Sequence, residues 1–163
     1  MIVCIAIVLR CWLIEIKPPH FDEGINGWFA DQMTATGYYR YDPSNYHGPL
    51  HFYAVFLSQT LFGREVWALR LPAVLASVLG VVAMLRFQEF FGTGVARLAA
   101  LAMAVSPGLV FYGRYSIHES WQVLFSILFL HGLLGLWQNG TRRDFFTLVT
   151  AVTGMVLTKE TYL

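Results

Sequence analysis

The chain has 163 residues, 56% of them hydrophobic and 16% aromatic, and only 13% are charged. A water-soluble domain carries about a quarter charged residues, so this composition, with a mean hydropathy of +0.54, excludes one and points to an integral, multi-pass protein of the cell membrane. The net charge of +1, with Lys and Arg dispersed rather than gathered into a stripe, excludes nucleic acid as a partner.

In chain order, residues 1–16 are apolar except for Arg10 and Glu15. They cover about 24 Å as a helix, short of the roughly 30 Å hydrocarbon core. With no polar n-region or small-residue cleavage site, the segment reads as a retained first span rather than a removed leader. Arg10 within it faces a partner or wet cavity, or snorkels to an interface. Cys4 and Cys11 share roughly one helix face, too far apart to bridge, and read as packing thiols.

Residues 17–64 gather Pro, Gly, Asn, His and Tyr and are expected to form one long extramembrane loop. Inside it, Ile25, Trp28, Phe29 and Met33 recur at helical spacing, which predicts an interfacial helix over 24–36. Tyr38 to Pro43 reads as an irregular aromatic turn. Leu50 to Phe62 is apolar but too short to span, and is expected to lie in the interface.

Residues 65–91 form the second expected span, with Arg70 near its start and Arg86 near its end. Residues 95–112 form the third, kinked at Ser106-Pro107-Gly108. Residues 119–137 and 145–157 are the fourth and fifth, joined by the polar turn Asn139 to Arg143. The expected fold is therefore an all-α polytopic membrane protein, about five transmembrane helices with one elaborated extracytoplasmic loop carrying interfacial helices, in a single domain. If Leu50 to Phe62 does not cross, then Asp22, Glu23, His47, Glu119, Lys159 and Glu160 reach one face. Arg86, Arg97, Arg142 and Arg143 then lie on the other, cytoplasmic side, but Lys17, Arg40, Arg64 and Arg114 lie in or beside the long loop, so charge bias alone does not decide the side. If Leu50 to Phe62 crosses, the bilayer separates Glu119 from Asp22.

The chemistry concentrates in His20-Phe21-Asp22-Glu23 and His47-Gly48-Pro49-Leu50-His51. Lys17-Pro18-Pro19 cannot continue a helix, which leaves the acidic pair at the boundary between membrane and loop. A carboxylate within hydrogen-bond reach assists the attack of a hydroxyl or amide, and an anionic group such as a phosphate needs cations or donors. Asp22 and Glu23 supply the first, and Arg70, Arg114, Lys159 or His47 the second. Adjacent carboxylates point in different directions, so different roles are expected for the two.

Each group also has a plain structural reading. Asp22 and Glu23 can cap the helix that begins at Gly24. His47 and His51, with His20 and His118 nearby, can form a metal cluster or simply bond headgroups and water. Mg²⁺ or Mn²⁺ on carboxylates such as Asp22 and Glu119 is the better metal alternative. Glu119 can serve only as an N-terminal helix charge, and Lys159 and Glu160 as an internal ion pair.

The series Phe21-Asp22-Glu23, His47-Gly48-Pro49-Leu50, Leu61-Phe62-Gly63, Ala68-Leu69-Arg70-Leu71-Pro72 and Ser106-Pro107 resembles the N-terminal half of membrane glycosyltransferases of the C-type fold, notably the dolichyl-phosphate-mannose protein mannosyltransferases of the family-39-like group. Tyr46-His47-Gly48-Pro49 and Thr158-Lys159-Glu160 are more similar still to the prokaryotic flippase-activity-associated proteins of N-glycosylation. The resemblance implies transfer of a sugar, with inversion, from a polyprenyl-phosphate donor to a protein, glycan or lipid acceptor on the extracytoplasmic face. It implies Asp22 as base or metal ligand and Glu119 as the second acid, where many members have Asp. Members are several times longer, so the chain is expected to be the N-terminal part of one.

The competing class is non-catalytic: a membrane partner in lipid-linked sugar translocation, or a transporter subunit. No inverted hydropathy repeat supports a transporter. A hydrolase lacks its Gly-x-Ser-x-Gly or His-Glu-x-x-His pattern.

Overall fold

The computed structural model describes residues 1–42, 44–45 and 47–159. Expectations placed on Tyr46 and Glu160 fall outside the described residues. Among those residues the structure is helical, with one isolated antiparallel bridge between His47 and Lys159.

The first helix, α1, spans Ile2–Cys11 and ends in turns through Ile16. Cys4 and Cys11 are free and exposed, so the expectation that they pack is corrected: their helix face points outward. Arg10 is fully buried on the opposite face. Helix α2 spans Phe21–Thr36, starting three residues earlier than the apolar spacing implied. The reason is a capping box: the His20 ring accepts from the Asp22 N–H, and the Glu23 carboxylate accepts from the His20 N–H at 2.9 Å. Gly37, at φ 80°, ends the helix in the left-handed region. Helix α3 spans Leu50–Phe62.

Helix α4 spans Val66–Leu85 and continues through a turn into the short α5, Gln88–Phe91. Together they make one of two stretches among the described residues long and apolar enough to cross a membrane. The other is α8, Glu119–Gln138. Between them, α6 (Thr93–Val105) and α7 (Pro107–Tyr112) are separated by Ser106 in an extended conformation, so the stretch expected to kink is broken outright. Pro107 has no N–H to continue the ladder. Helix α9 spans Arg142–Thr158 and opens with a second capping box, Thr141 with Asp144.

Small residues let these helices approach closely, as in membrane packing generally. Ala76, Ala83 and Ala96 are buried with Phe87, Leu124 and Ile127 between α4, α6 and α8. Helix α9 lies against α8 so closely that a Cβ at Gly132 would meet the Leu148 backbone N at 2.7 Å. This brings the end of α9 beside the loop before α3, where Gly48 N–H donates to Thr158 O at 3.1 Å.

Candidate functional site

Asp22 and Glu23 are neighbours with opposite fates. The turn of α2 that exposes Asp22 carries Glu23 inward to full burial. Glu23 accepts from Arg70 Nε and Nη2, both at 2.8 Å, from the Ser116 N–H at 2.9 Å and from the His20 N–H. Burial raises its pKa most strongly of the single effects, yet the Arg70 guanidinium and the two backbone donors together hold it below the ordinary carboxylate value. The remaining Arg70 donors reach the carbonyls of Ile14, Lys17 and Pro18. All five guanidinium N–H groups are thus spent, and Arg70, expected to bind phosphate, has no donor left for one.

Four other expected residues do converge. Asp22 of α2, His47 of the long loop, Glu119 at the start of α8 and Lys159 after α9 line one cavity of about 200 Å³, with Asn26, Asn45 and His118 among its walls. Lys159 Nζ lies 3.2 Å from Glu119 Oε1. That pairing ties Lys159 to an acid 40 positions away. Among the described residues Glu119 is the one acid hydrogen-bonded to Lys159, and an ammonium carries two further N–H groups. Arg114 lies outside this cavity: it donates to the carbonyls of Trp12 and Leu13 and lines a separate cleft with Lys17 and Tyr115.

The floor beneath is a histidine stack that spacing did not foretell. The His118 ring sits 4.1 Å from His47 and 4.6 Å from His51, centroid to centroid. Trp121 Nε1–H donates to His51 Nδ1 at 3.1 Å, and the other ring nitrogen meets Ser116 Oγ at 3.2 Å. Burial pushes the His51 pKa down to about 4 and lowers those of His118 and His47 as well. The stack is therefore neutral at pH 7. The sequence groups His118 with His47, His51 and His20 only as an alternative metal cluster; the structure brings the first three rings together, with His118 at the N-cap of α8 and Trp121 within that helix.

Among the described residues no three His, Cys, Asp or Glu side chains form a group able to hold a metal ion. Asp22 and Glu119 share the cavity, and Mg²⁺ or Mn²⁺ takes as few as one or two carboxylates beside phosphate oxygens. A cation there would compete with Lys159 for Glu119.

The cavity thus joins an exposed acid, a paired acid and a cation, groups that accept and donate charge-assisted hydrogen bonds. The model of one family, dolichyl-phosphate-mannose-protein mannosyltransferase, matches residues 46–163, most of the chain. The chain belongs to that family. Helices α3 to α9, with His47, Glu119 and Lys159, lie inside the matched region, whereas Asp22 and Glu23 precede it. No curated protein and no solved structure matches the chain. Membership in the mannosyltransferase family makes the chain a membrane glycosyltransferase of mannosyltransferase type.

Proposed function

We propose that this mannosyltransferase-family chain transfers a sugar from a polyprenyl-phosphate-linked donor to a protein, glycan or lipid acceptor on the extracytoplasmic face, with inversion at the anomeric carbon. The observation that carries the reading is the convergence of Asp22, His47, Glu119 and Lys159, from four separate segments, on one small cavity.

In this mechanism Asp22, exposed and with the His20 ring at 3.4 Å as its one ion-pair contact among the described residues, takes the proton of the acceptor hydroxyl or amide. The acceptor attacks the anomeric carbon, the bond from that carbon to the phosphate oxygen breaks, and its electron pair leaves with the polyprenyl phosphate. Lys159 stabilises the departing charge while Glu119 holds the ammonium in place. His47 walls the sugar. A divalent cation, where one is used, would sit on Asp22 and Glu119 and neutralise phosphate charge. Glu23 and Arg70 hold α2 against α4 so that Asp22 faces the cavity.

The test is the full chain in liposomes with polyprenyl-phosphate-linked radiolabelled mannose and peptide or glycolipid acceptors. Label moving to an acceptor, and lost in Asp22→Asn, supports the reading. Donor bound without transfer supports instead the non-catalytic translocation partner.

A further inference from the structure

The opposite end of α4 carries a second cavity, remote from the sugar site. Arg70 and Arg86 lie sixteen positions apart along α4 and its C-cap, about 24 Å of helix and most of the roughly 30 Å depth of a hydrocarbon core. At that end Arg86, Leu128, Arg143, Phe146, Thr147 and Thr150 line a shallow, open cavity of about 510 Å³. Two of its linings are guanidinium groups and none is acidic.

Arg86 is the informative residue. The side chain is half-buried, and its Nε and Nη2 are shielded from solvent and meet no hydrogen-bond partner among the described residues. A buried charged donor left unpaired is costly, and such groups mark places that an ion or ligand completes. Neither nearby carboxylate does so. Glu89 Oε1 lies 2.5 Å from His131 Nε2 instead, in ion contact though without hydrogen-bond alignment. Asp144 is turned into its capping box with Thr141 and against Gly135. Arg143, exposed at the start of α9, enters no ion pair among the described residues. Phe146, 64% exposed beside it, presents an aromatic face outward.

We infer that Arg86 and Arg143 form a binding site for the phosphate of an anionic glycerophospholipid in the cytoplasmic leaflet, with an acyl chain lying along Leu128 and Phe146. Two guanidiniums match phosphate oxygens in paired hydrogen bonds. Basic pockets between helices at the cytoplasmic boundary take anionic headgroups in this way. The apolar walls select a lipid over a free anion. The lipid would tie the end of α4 to the start of α9, the helix whose far end presents Lys159. This site stands independently of the sugar-transfer reading.

Native mass spectrometry of the full chain in detergent tests it, with phosphatidylglycerol and phosphatidylcholine of identical chains as probes and inorganic phosphate as competitor. The parent is expected to retain phosphatidylglycerol in preference to phosphatidylcholine. Arg143→Gln, on the surface and safe for folding, and Arg86→Gln are each expected to reduce that retention about fivefold. Arg97→Gln, outside the cavity, leaves it unchanged. Equal retention of the two lipids by the parent, or undiminished phosphatidylglycerol retention in Arg143→Gln, overturns the site. Displacement of the lipid by inorganic phosphate at comparable concentration makes it a free-anion site and overturns the lipid assignment.

Discussion

Glu23 and Arg70 face each other as a two-pronged ion pair, with 0% and 2% of their side chains exposed, joining α2 to α4 across 47 residues of sequence. Both carboxylate oxygens receive a guanidinium N–H, and each oxygen also takes a backbone N–H. The pair is consequently complete, with neither partner available to a substrate.

Removing one member of a buried pair leaves the other charged and alone, at a cost of about 3–5 kcal/mol. Glu23→Gln and Arg70→Gln are therefore expected to lower the melting temperature in detergent sharply. Asp22→Asn, on the exposed side of the same turn, should melt with the parent yet lose about a hundredfold to ten-thousandfold in turnover. Normal stability in Glu23→Gln, or normal turnover in Asp22→Asn, reverses the division of roles between the two acids.

The histidine floor makes stability depend on pH. His51, forced toward neutrality by burial, has a folded pKa of about 4 against an ordinary 6.5. Its contribution is complete above 6.5 and drains away as the pH falls toward 4, amounting to roughly 3 kcal/mol. His47 and His118 shift in the same direction. Glu23, with its lowered pKa, adds its loss only below its ordinary value of 4.5. Melting temperature should thus begin to fall just under 6.5, before carboxylates protonate, and His51→Phe should flatten that slope. An unchanged slope in the variant would assign the acid sensitivity elsewhere.

Gly48 sets how closely the long loop meets α9. A Cβ there would run into the carbonyl oxygen of Leu157, so Gly48→Ala should push Lys159 away from His47 and Glu119. Donor binding is expected to weaken about tenfold, with a modest loss of stability of about 1–3 kcal/mol. The check is isothermal titration with a short-chain polyprenyl phosphomannose. Parent-like affinity would show that Lys159 does not touch the donor.

Arg10 performs a task created by Pro107. The carbonyls of Met103 and Ala104 lose their helical partners where α6 breaks, and Arg10 donates to them at 3.3 and 3.0 Å while its Nε donates to Ser77 Oγ at 2.7 Å. Arg10→Leu should destabilise the fold by about 2–4 kcal/mol through those stranded carbonyls while leaving donor affinity in the surviving folded fraction intact. Reduced donor affinity at unchanged stability would instead give Arg10 a place in binding.

Local physics made much of the chain readable. Hydropathy and proline placed the apolar segments, and Leu50–Phe62 forms a helix over the very residues its apolar run defined, because burial and backbone satisfaction in an apolar setting leave such a run little choice. The acidic pair announced itself as a helix start, and Glu23 does cap α2. Which of two adjacent carboxylates would face substrate was not local information. It depended on an arginine 47 positions on and on the Ser116 amide 93 positions on, which draw Glu23 inward and leave Asp22 outside. Likewise the partner of Lys159 became Glu119 only when glycine-lined packing laid α9 along α8, and His118 joined His47 and His51 only through the approach of α8 to α3. Residue types and periodicity determine which helices form and where they stop; the pairing of charges across helices is settled by packing, since a buried charge takes whichever partner the assembled fold brings within reach.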